Sequence, residues 1–118
     1  MAQHLALGAQ GEELAASFLS AAGMAIIARN WRCRSGEIDV IAEDGGMTAF
    51  VEVKTRRGLS CGRPEEAVTP LKQQRIRNAA HVWLREHRGP WRDVRFDVVA
   101  IMLRPGRAPE IRHLKAVF

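Results

Sequence analysis

Two acidic residues and a lysine stand inside otherwise apolar runs of the sequence. Asp39 lies within "EIDVIA", and Glu52 and Lys54 lie within "FVEVKT". Charged side chains in such runs are costly to bury unless they are paired or bind an ion. Residues two apart in a strand face the same way, so Glu52 and Lys54 share one face, and a neighbouring strand can bring Asp39 beside Glu52. Two adjacent carboxylates repel each other unless a positive group lies between them.

A hard divalent cation would satisfy this pair of carboxylates. Mg²⁺ prefers carboxylate oxygens and water, and it usually takes only one or two protein carboxylates. Lys54, one pleat along the strand, would then lie close to a metal-bound water or to a phosphate. This combination suits hydrolysis of a phosphodiester, in which the metal activates water and offsets negative charge. The sequence therefore predicts a Mg²⁺ (or Mn²⁺) site that includes Asp39 and Glu52.

The scarcity of lysine favours a specific role for Lys54. The chain has fifteen Arg but only three Lys, so Arg is its usual choice wherever positive charge alone is needed. A compact ammonium with an adjustable pKa can orient or deprotonate water, which a guanidinium does not readily do.

Other interpretations of the acidic residues stay open. Exposed strands often alternate acids and lysines to keep their edges soluble, so an E-x-K triplet alone is weak evidence of a site. Glu37, two residues before Asp39, is either an extra ligand or a surface charge. For Asp97, at the start of a later apolar run, a salt bridge with Arg56 or Arg75 is favoured over metal binding.

The charge of the chain is divided unequally. Residues 1–53 carry a net charge of −4 and residues 54–118 a net charge of +9, which gives the total of +5. A basic half of this kind suggests a polyanionic partner, most simply nucleic acid. The alternative is a soluble surface in an arginine-rich protein. The predicted phosphate contacts are Arg56 and Arg57, leading into the loop "RGLSCGRP", with Lys72 and Arg75 on the basic side of a helix.

The pattern of apolar residues predicts the elements that position these groups. Residues 9–22 form a helix that stops at Gly23, with Glu12 turned inward and Glu13 outward. Three strands joined as a meander follow, the last two through the turn "EDGG". A second helix starts at the cap Thr69 with Pro70 in its first position. The predicted strands cover residues 24–31, 38–42 and 49–55.

Two further strands complete the prediction. The run "VRFDVVAIML" is apolar enough to be covered on both faces, and "EIRHLKAVF" supplies a short strand at the sheet edge. The predicted architecture is an α/β (α+β) sandwich in the order α-β-β-β-α-β(-β), with a helix on each face of a mixed sheet.

Residues 1–118 are expected to form a single domain in the cytoplasm. The length suffices for one core, and the sequence shows neither an apolar run of membrane-spanning length nor a leader peptide. Cys33 and Cys61 are interpreted as ordinary thiols, because they lack a zinc-binding spacing and unexported proteins are kept reduced.

The acidic pair, the lysine and the helical glutamate together resemble the PD-(D/E)xK nuclease superfamily, which has a restriction-endonuclease-like fold. More narrowly, four segments that span most of the chain look like the YraN family of small bacterial proteins, which are similar to archaeal Holliday junction resolvases. The segments are "GAQGEELAASFL", "ARNWRCRSGEIDVIAEDG", "FVEVKTR" and "RFDVVAI".

The resemblance implies a role for each matching residue. Asp39 and Glu52 would bind the metal together with the backbone carbonyl of Val53, Lys54 would be the catalytic lysine, and Glu12 would match the helical glutamate of the resolvases. The first half of the signature departs from the superfamily pattern, because an isoleucine precedes the aspartate in place of a proline.

The implied activity is that of a metal-dependent endonuclease on structured or branched DNA, acting as a homodimer that nicks two strands. A non-catalytic nucleic-acid-binding module in recombination, repair or DNA uptake is the alternative. RNA is a further candidate substrate, because phosphate contacts alone do not distinguish the two polymers.

Overall fold

Two helices and five strands make up the fold. The structure is a computed structural model that describes residues 2–57, 68–87, 89 and 92–118. The order α-β-β-β-α-β-β confirms the predicted order, including the short last strand. In chain order the elements are α1 (Ala2–Ala21), β1 (Ala25–Cys33), β2 (Gly36–Asp44), β3 (Met47–Arg57), α2 (Pro70–Glu86), β4 (Asp93–Leu103) and β5 (Glu110–Leu114).

The five strands form one mixed sheet in the order β1-β2-β3-β4-β5. β1, β2 and β3 are antiparallel neighbours, as are β4 and β5, whereas β3 and β4 run parallel. The parallel pair follows from the position of α2 in the chain between these two strands. Gly45, in the predicted turn between β2 and β3, has a φ of 63°, a left-handed conformation that glycine adopts readily.

One helix covers each face of the sheet, as predicted. α1 packs Ala15 and Leu19 against a core that includes Val51, and α2 packs Ile76 and Trp83 against a core that includes Phe50. β4 is buried on both sides: its residues alternate between the two cores, with Phe96 and Val98 on the α2 side and Val99 and Ile101 on the α1 side.

The start of α2 is the predicted one. Thr69 caps the helix, Pro70 opens it, and the backbone N–H of Lys72 donates to Thr69 Oγ1 at 3.2 Å. This cap satisfies one of the amide donors that the first turn of any helix leaves unpaired. The position of Lys72 is thereby fixed in the first turn.

α1 begins at Ala2, so the prediction that it starts at residue 9 was wrong. Gly8, a residue of low helix propensity, lies just before the predicted start but does not interrupt the helix. Gly11 is buried, and a β-carbon built there would lie 1.7 Å from Oγ1 of Thr55. The absence of a side chain at Gly11 therefore allows α1 to pack closely against β3.

The strands of the meander are longer than predicted. β2 and β3 each extend two residues beyond their predicted bounds at both ends, and β1 ends two residues later. Arg56 and Arg57 are consequently the last residues of β3, paired with Met102 and Leu103 of β4, and do not lie in the loop that follows.

Some predictions fall on residues that the structure does not describe. The loop at residues 58–64 and Cys61 lie outside the described residues, whereas Cys33 is a free thiol. Within the described ranges, neither helix has the combination of length and apolar character needed to cross a membrane.

Replacing Gly11 with Ala is expected to destabilise the protein, because the added methyl group collides with Thr55 and displaces α1. The free energy of unfolding should fall by about 1–3 kcal/mol. Gly8→Ala is the matched control: nothing lies within 4 Å of a β-carbon there, so better helix propensity should raise stability by about 0.5–1 kcal/mol. Urea denaturation of both variants provides the measurement. Equal stabilisation by the two changes would show that α1 does not pack closely at Gly11.

Candidate metal and phosphate site

The predicted site lies where the pairing of β2 with β3 stops. The paired residues run up to Val40 opposite Val51. Ile38 and Ile41 both pack on the α2 side although they are three residues apart, and Val40 packs on the α1 side. The regular alternation of β2 is therefore broken at Asp39, one residue beyond the paired stretch. A break of this kind makes room for a side chain between the two strands.

The carboxylate of Asp39 fills this room. The backbone N–H of Val53 on β3 donates to its Oδ2 at 2.8 Å, and the side chain is buried. Burial and the neighbouring carboxylate of Glu52 raise the pKa of Asp39 to about 7, with smaller contributions from Glu12 and Glu37, while the Val53 hydrogen bond opposes the rise. At neutral pH, Asp39 is therefore divided between its protonated and its ionised form. Such a perturbed pKa is common at functional sites.

Glu52 is also buried, and two lysines approach it. Nζ of Lys72 lies 2.7 Å from Oε1 of Glu52, and Nζ of Lys54 lies 3.8 Å from the same oxygen. The side chain of Glu52 is only 7% exposed, so water screens these contacts weakly. The structure thus brings Asp39, Glu52 and Lys54 together, and it adds a lysine that the sequence had assigned to the nucleic-acid surface.

The two lysines differ in how readily they release a proton. Burial and the adjacent Lys72 ammonium lower the pKa of Lys54. Burial also opposes the charge of Lys72, but its contacts with Glu52 and Lys54 outweigh this effect and raise the pKa of Lys72. Lys54 is therefore the better group to accept a proton from water, and Lys72 is the persistent cation.

Helix α1 brings one glutamate to the site and turns the next one away. Glu12 is half-buried and near enough to Asp39 for its negative charge to raise the pKa of that residue. Glu13 is exposed and pairs with Arg29 of β1 at 3.0 Å. The helical period had predicted this difference in direction. A catalytic role for Glu12 stays a prediction.

The donor atoms fit a hard divalent cation. In the described ranges, no three His, Cys, Asp or Glu side chains are grouped closely enough to hold a metal ion. Asp39 and Glu52 nevertheless provide two buried carboxylates, and Mg²⁺ commonly takes one or two carboxylates and completes its shell with water. The carbonyl of Val53 as a ligand stays a prediction; the same residue places its N–H on Asp39.

The remaining predicted phosphate contacts lie on β3 and α2. Arg57 is exposed at the end of β3, and Arg75 is exposed on α2. Arg56, between Lys54 and Arg57 in the chain, is half-buried. Their contact with nucleic acid stays a prediction.

Asp97 is bound by partners other than those predicted. Both of its oxygens lie 3.1 Å from Nε of Arg95, Nε2 of His113 lies 2.8 Å from Oδ2, and the N–H of Ala116 donates to Oδ1 at 2.9 Å. The prediction of a buried ion pair was right, but Arg56 and Arg75 were the wrong partners. Arg95 lies two residues before Asp97 on the same strand, whereas His113 lies on β5 and Ala116 follows it, and sequence spacing does not show that these two reach Asp97.

Glu37 belongs to the protein surface. Its Oε2 lies 3.1 Å from Nε of Arg32, and both side chains are mostly exposed.

A cavity of about 1030 Å³ lies at the other end of the sheet, near the turn between β2 and β3. Its described lining includes Glu43, Trp83 and Arg92 but none of the predicted site residues.

Asp39→Asn is expected to stabilise the metal-free protein above pH 7. Because the pKa of Asp39 is about 7 when folded and 3.8 when unfolded, the folded state retains a proton that the unfolded state has released. Stability should therefore fall as pH rises from about 4 to 7 and then level off. The asparagine removes this loss and should raise the free energy of unfolding by roughly 4 kcal/mol at pH 8 but by only about 1 kcal/mol at pH 4.5.

Urea denaturation in chelator at both pH values measures this difference. Asp93→Asn, at an exposed aspartate, is the control and should leave the pH profile unchanged. The same pH profile in Asp39→Asn and wild type would contradict the placement of a proton on Asp39.

Asp97→Ala is expected to lower the free energy of unfolding by about 3–5 kcal/mol, because it leaves the buried Arg95 and His113 without their shared acceptor. Thermal and urea denaturation measure the loss. In conditions where this variant is folded, Mn²⁺ binding should equal that of wild type. Lost Mn²⁺ binding with unchanged stability would instead identify Asp97 as a metal ligand.

The chain matches one protein family over most of its length. Residues 11–101 match the Uncharacterised protein family UPF0102, and this range contains every residue of the candidate site. A UPF0102 protein of Nocardia farcinica is 66% identical over 113 residues, which cover 96% of this chain and 89% of that protein. One of Rhodococcus opacus is 59% identical over the full length of both chains, and one of Geotalea uraniireducens is 48% identical over 99% of this chain and 92% of its own. The chain therefore belongs to the UPF0102 family, to which the YraN proteins belong.

Proposed function

We propose that this protein is a Mg²⁺- or Mn²⁺-dependent endonuclease that hydrolyses phosphodiester bonds in structured or branched DNA. The observation that carries the proposal is the pair of buried carboxylates, Asp39 and Glu52, set at a break in strand pairing with Lys54 beside them. Burying such a group lowers stability and adds nothing to the core, so its maintenance is best explained by chemistry at the site.

Each side chain has a distinct task in the proposed reaction. A bound Mg²⁺ or Mn²⁺ would supply positive charge at the scissile phosphate and lower the pKa of an attacking water. Asp39 and Glu52 would hold that ion, and the Val53 N–H keeps Asp39 oriented through its hydrogen bond. Lys54 would contact a phosphate oxygen or take a proton from water, for which its lowered pKa suits it.

The charge of the surrounding surface supports a nucleic-acid substrate. The half of the chain that begins at Lys54 carries a net charge of +9, and Arg57 and Arg75 lie exposed on the two elements that flank the site. Basic side chains on this scale fit a polyanion. DNA is proposed ahead of RNA on the resemblance to junction resolvases, and a homodimer would give each of two strands its own site.

One observation favours a second candidate, a nucleic-acid-binding module without cleavage. Lys72 and Lys54 already neutralise Glu52, and the described residues hold no group of three metal-ligating side chains. A protein with this arrangement could bind phosphates through the same lysines without a metal. It would show steeply salt-dependent binding and no turnover.

Cleavage of labelled nucleic acids is the direct test. Duplex, single-stranded, flap, four-way-junction and RNA substrates are incubated with wild type and Lys54→Ala in Mn²⁺ and in chelator. We expect metal-dependent cleavage of branched DNA, with a loss of about 10²–10⁴-fold in Lys54→Ala, the range found when a positioned proton-transfer group is removed.

Lys115→Ala is the matched control, because this lysine is mostly exposed and lies away from the site. Its Nζ lies 3.7 Å from Oδ2 of Asp44, the last residue of β2. This variant should cleave like wild type. Salt-dependent binding without cleavage that survives Lys54→Ala would establish the binding module instead. Calorimetry separates the two further: unchanged Mg²⁺ binding after Asp39→Ala or Glu52→Ala would rule out the proposed metal site.

A further inference from the structure

The shortest ion pair at the candidate site involves a residue from outside the β-strands. Nζ of Lys72 on α2 lies 2.7 Å from Oε1 of Glu52, more than 1 Å closer than Nζ of Lys54 on the same strand as Glu52. Lys72 thus occupies the carboxylate oxygen that the proposed metal ion needs. Its side chain is 39% exposed, so it has an open path away from Glu52.

Helix energetics do not explain a lysine at this position. Lys72 is the third residue of α2, and the first turn contains no acidic residue. The positive end of the helix dipole disfavours a cation in the first turn, and an acidic residue would be stabilising there. Lysine is also rare in this chain, with three against fifteen arginines. Lys72 therefore stands in the first turn against both local preferences.

A purely structural ion pair would not have this composition either. One carboxylate and one ammonium suffice to anchor a helix on a sheet, whereas here two ammonium groups meet on Glu52 with a second carboxylate, Asp39, alongside. The charge of Lys72 also disfavours the charged form of Lys54, so the two lysines oppose each other at this carboxylate. Apolar side chains would hold α2 at least as well.

We propose that Lys72 is a displaceable substitute for the metal ion: its ammonium and a divalent cation bind the same oxygen of Glu52 in turn, and the displaced ammonium becomes a contact for the substrate phosphate. This inference rests on the proposed function, because it requires that Glu52 is a metal ligand. Lys72 is then a positioning residue that keeps Glu52 in place before the metal arrives. It also weakens metal binding, since every ion that binds must first break the Lys72–Glu52 pair.

The affinity for Mn²⁺ alone tests the proposal without any measurement of activity. Lys72→Met keeps the length of the side chain and removes its charge, and calorimetry or paramagnetic resonance at pH 8 reports Mn²⁺ binding to the metal-free protein. We expect Lys72→Met to bind Mn²⁺ roughly tenfold more tightly than wild type, because the internal competitor is gone. Lys115→Met is the matched control and should bind like wild type. Equal or weaker Mn²⁺ binding by Lys72→Met would overturn the proposal.

A second measurement uses the wild-type protein and does not depend on the folding of a variant. Acylation of lysine side chains, read by mass spectrometry, is compared in chelator and in saturating Mn²⁺. Release from Glu52 should speed the labelling of Lys72 several-fold and leave Lys115 unchanged. Labelling of Lys72 that does not respond to bound Mn²⁺ would also overturn the proposal.

The outcomes distinguish this inference from the proposed function. If Mn²⁺ binds wild type and is lost in Asp39→Ala, but Lys72→Met binds no more tightly, only the role of Lys72 is wrong. If neither wild type nor Lys72→Met binds Mn²⁺, the metal site itself is wrong, and both proposals are overturned with it.

Discussion

Repulsion between two buried carboxylates is the constraint around which this end of the molecule is arranged. Asp39 and Glu52 lie on neighbouring strands just beyond the point where those strands stop pairing. In a low-dielectric interior, two adjacent negative charges cannot persist without compensation. The protein compensates in two ways: Asp39 tends to hold a proton, and Glu52 lies against two lysines.

The elements around the site bring both a compensating charge and a further negative charge to it. β3 carries Glu52 and Lys54 on its α2 side, and the capped first turn of α2 places Lys72 above them. On the opposite face, Gly11 lets α1 approach Thr55 closely, so that the next residue, Glu12, comes within electrostatic reach of Asp39. Helices on both faces of the sheet thus bring charged residues close to Asp39 and Glu52.

Much of this arrangement could be predicted from the sequence because it depends on local rules. Alternation along β3 places Glu52 and Lys54 on the same face. The Thr69 cap marks the start of α2. The features that could not be predicted depend on contacts between distant elements. Lys72 looked like one basic residue among many on α2, since nothing in its neighbourhood shows that Glu52 lies beneath it. The packing role of Gly11 could not be predicted either, because its close contact with Thr55 joins elements more than forty residues apart.

Two buried aspartates in the sheet show how structure separates a supporting role from a functional one. The carboxylate of Asp97 lies within hydrogen-bonding distance of Arg95, His113 and the N–H of Ala116, so its charge is matched on several sides. Asp39 receives the N–H of Val53 but lies near three other acidic residues that raise its pKa. Both aspartates are buried, so burial alone does not distinguish a structural aspartate from a functional one. A carboxylate matched by donors stabilises the fold, whereas one that lies near other carboxylates destabilises it when it is ionised. By this criterion Asp97 belongs to the framework of the fold, whereas the unmatched charge of Asp39 is what the proposed metal site would explain, although the sequence presents each as a single acid in an apolar strand.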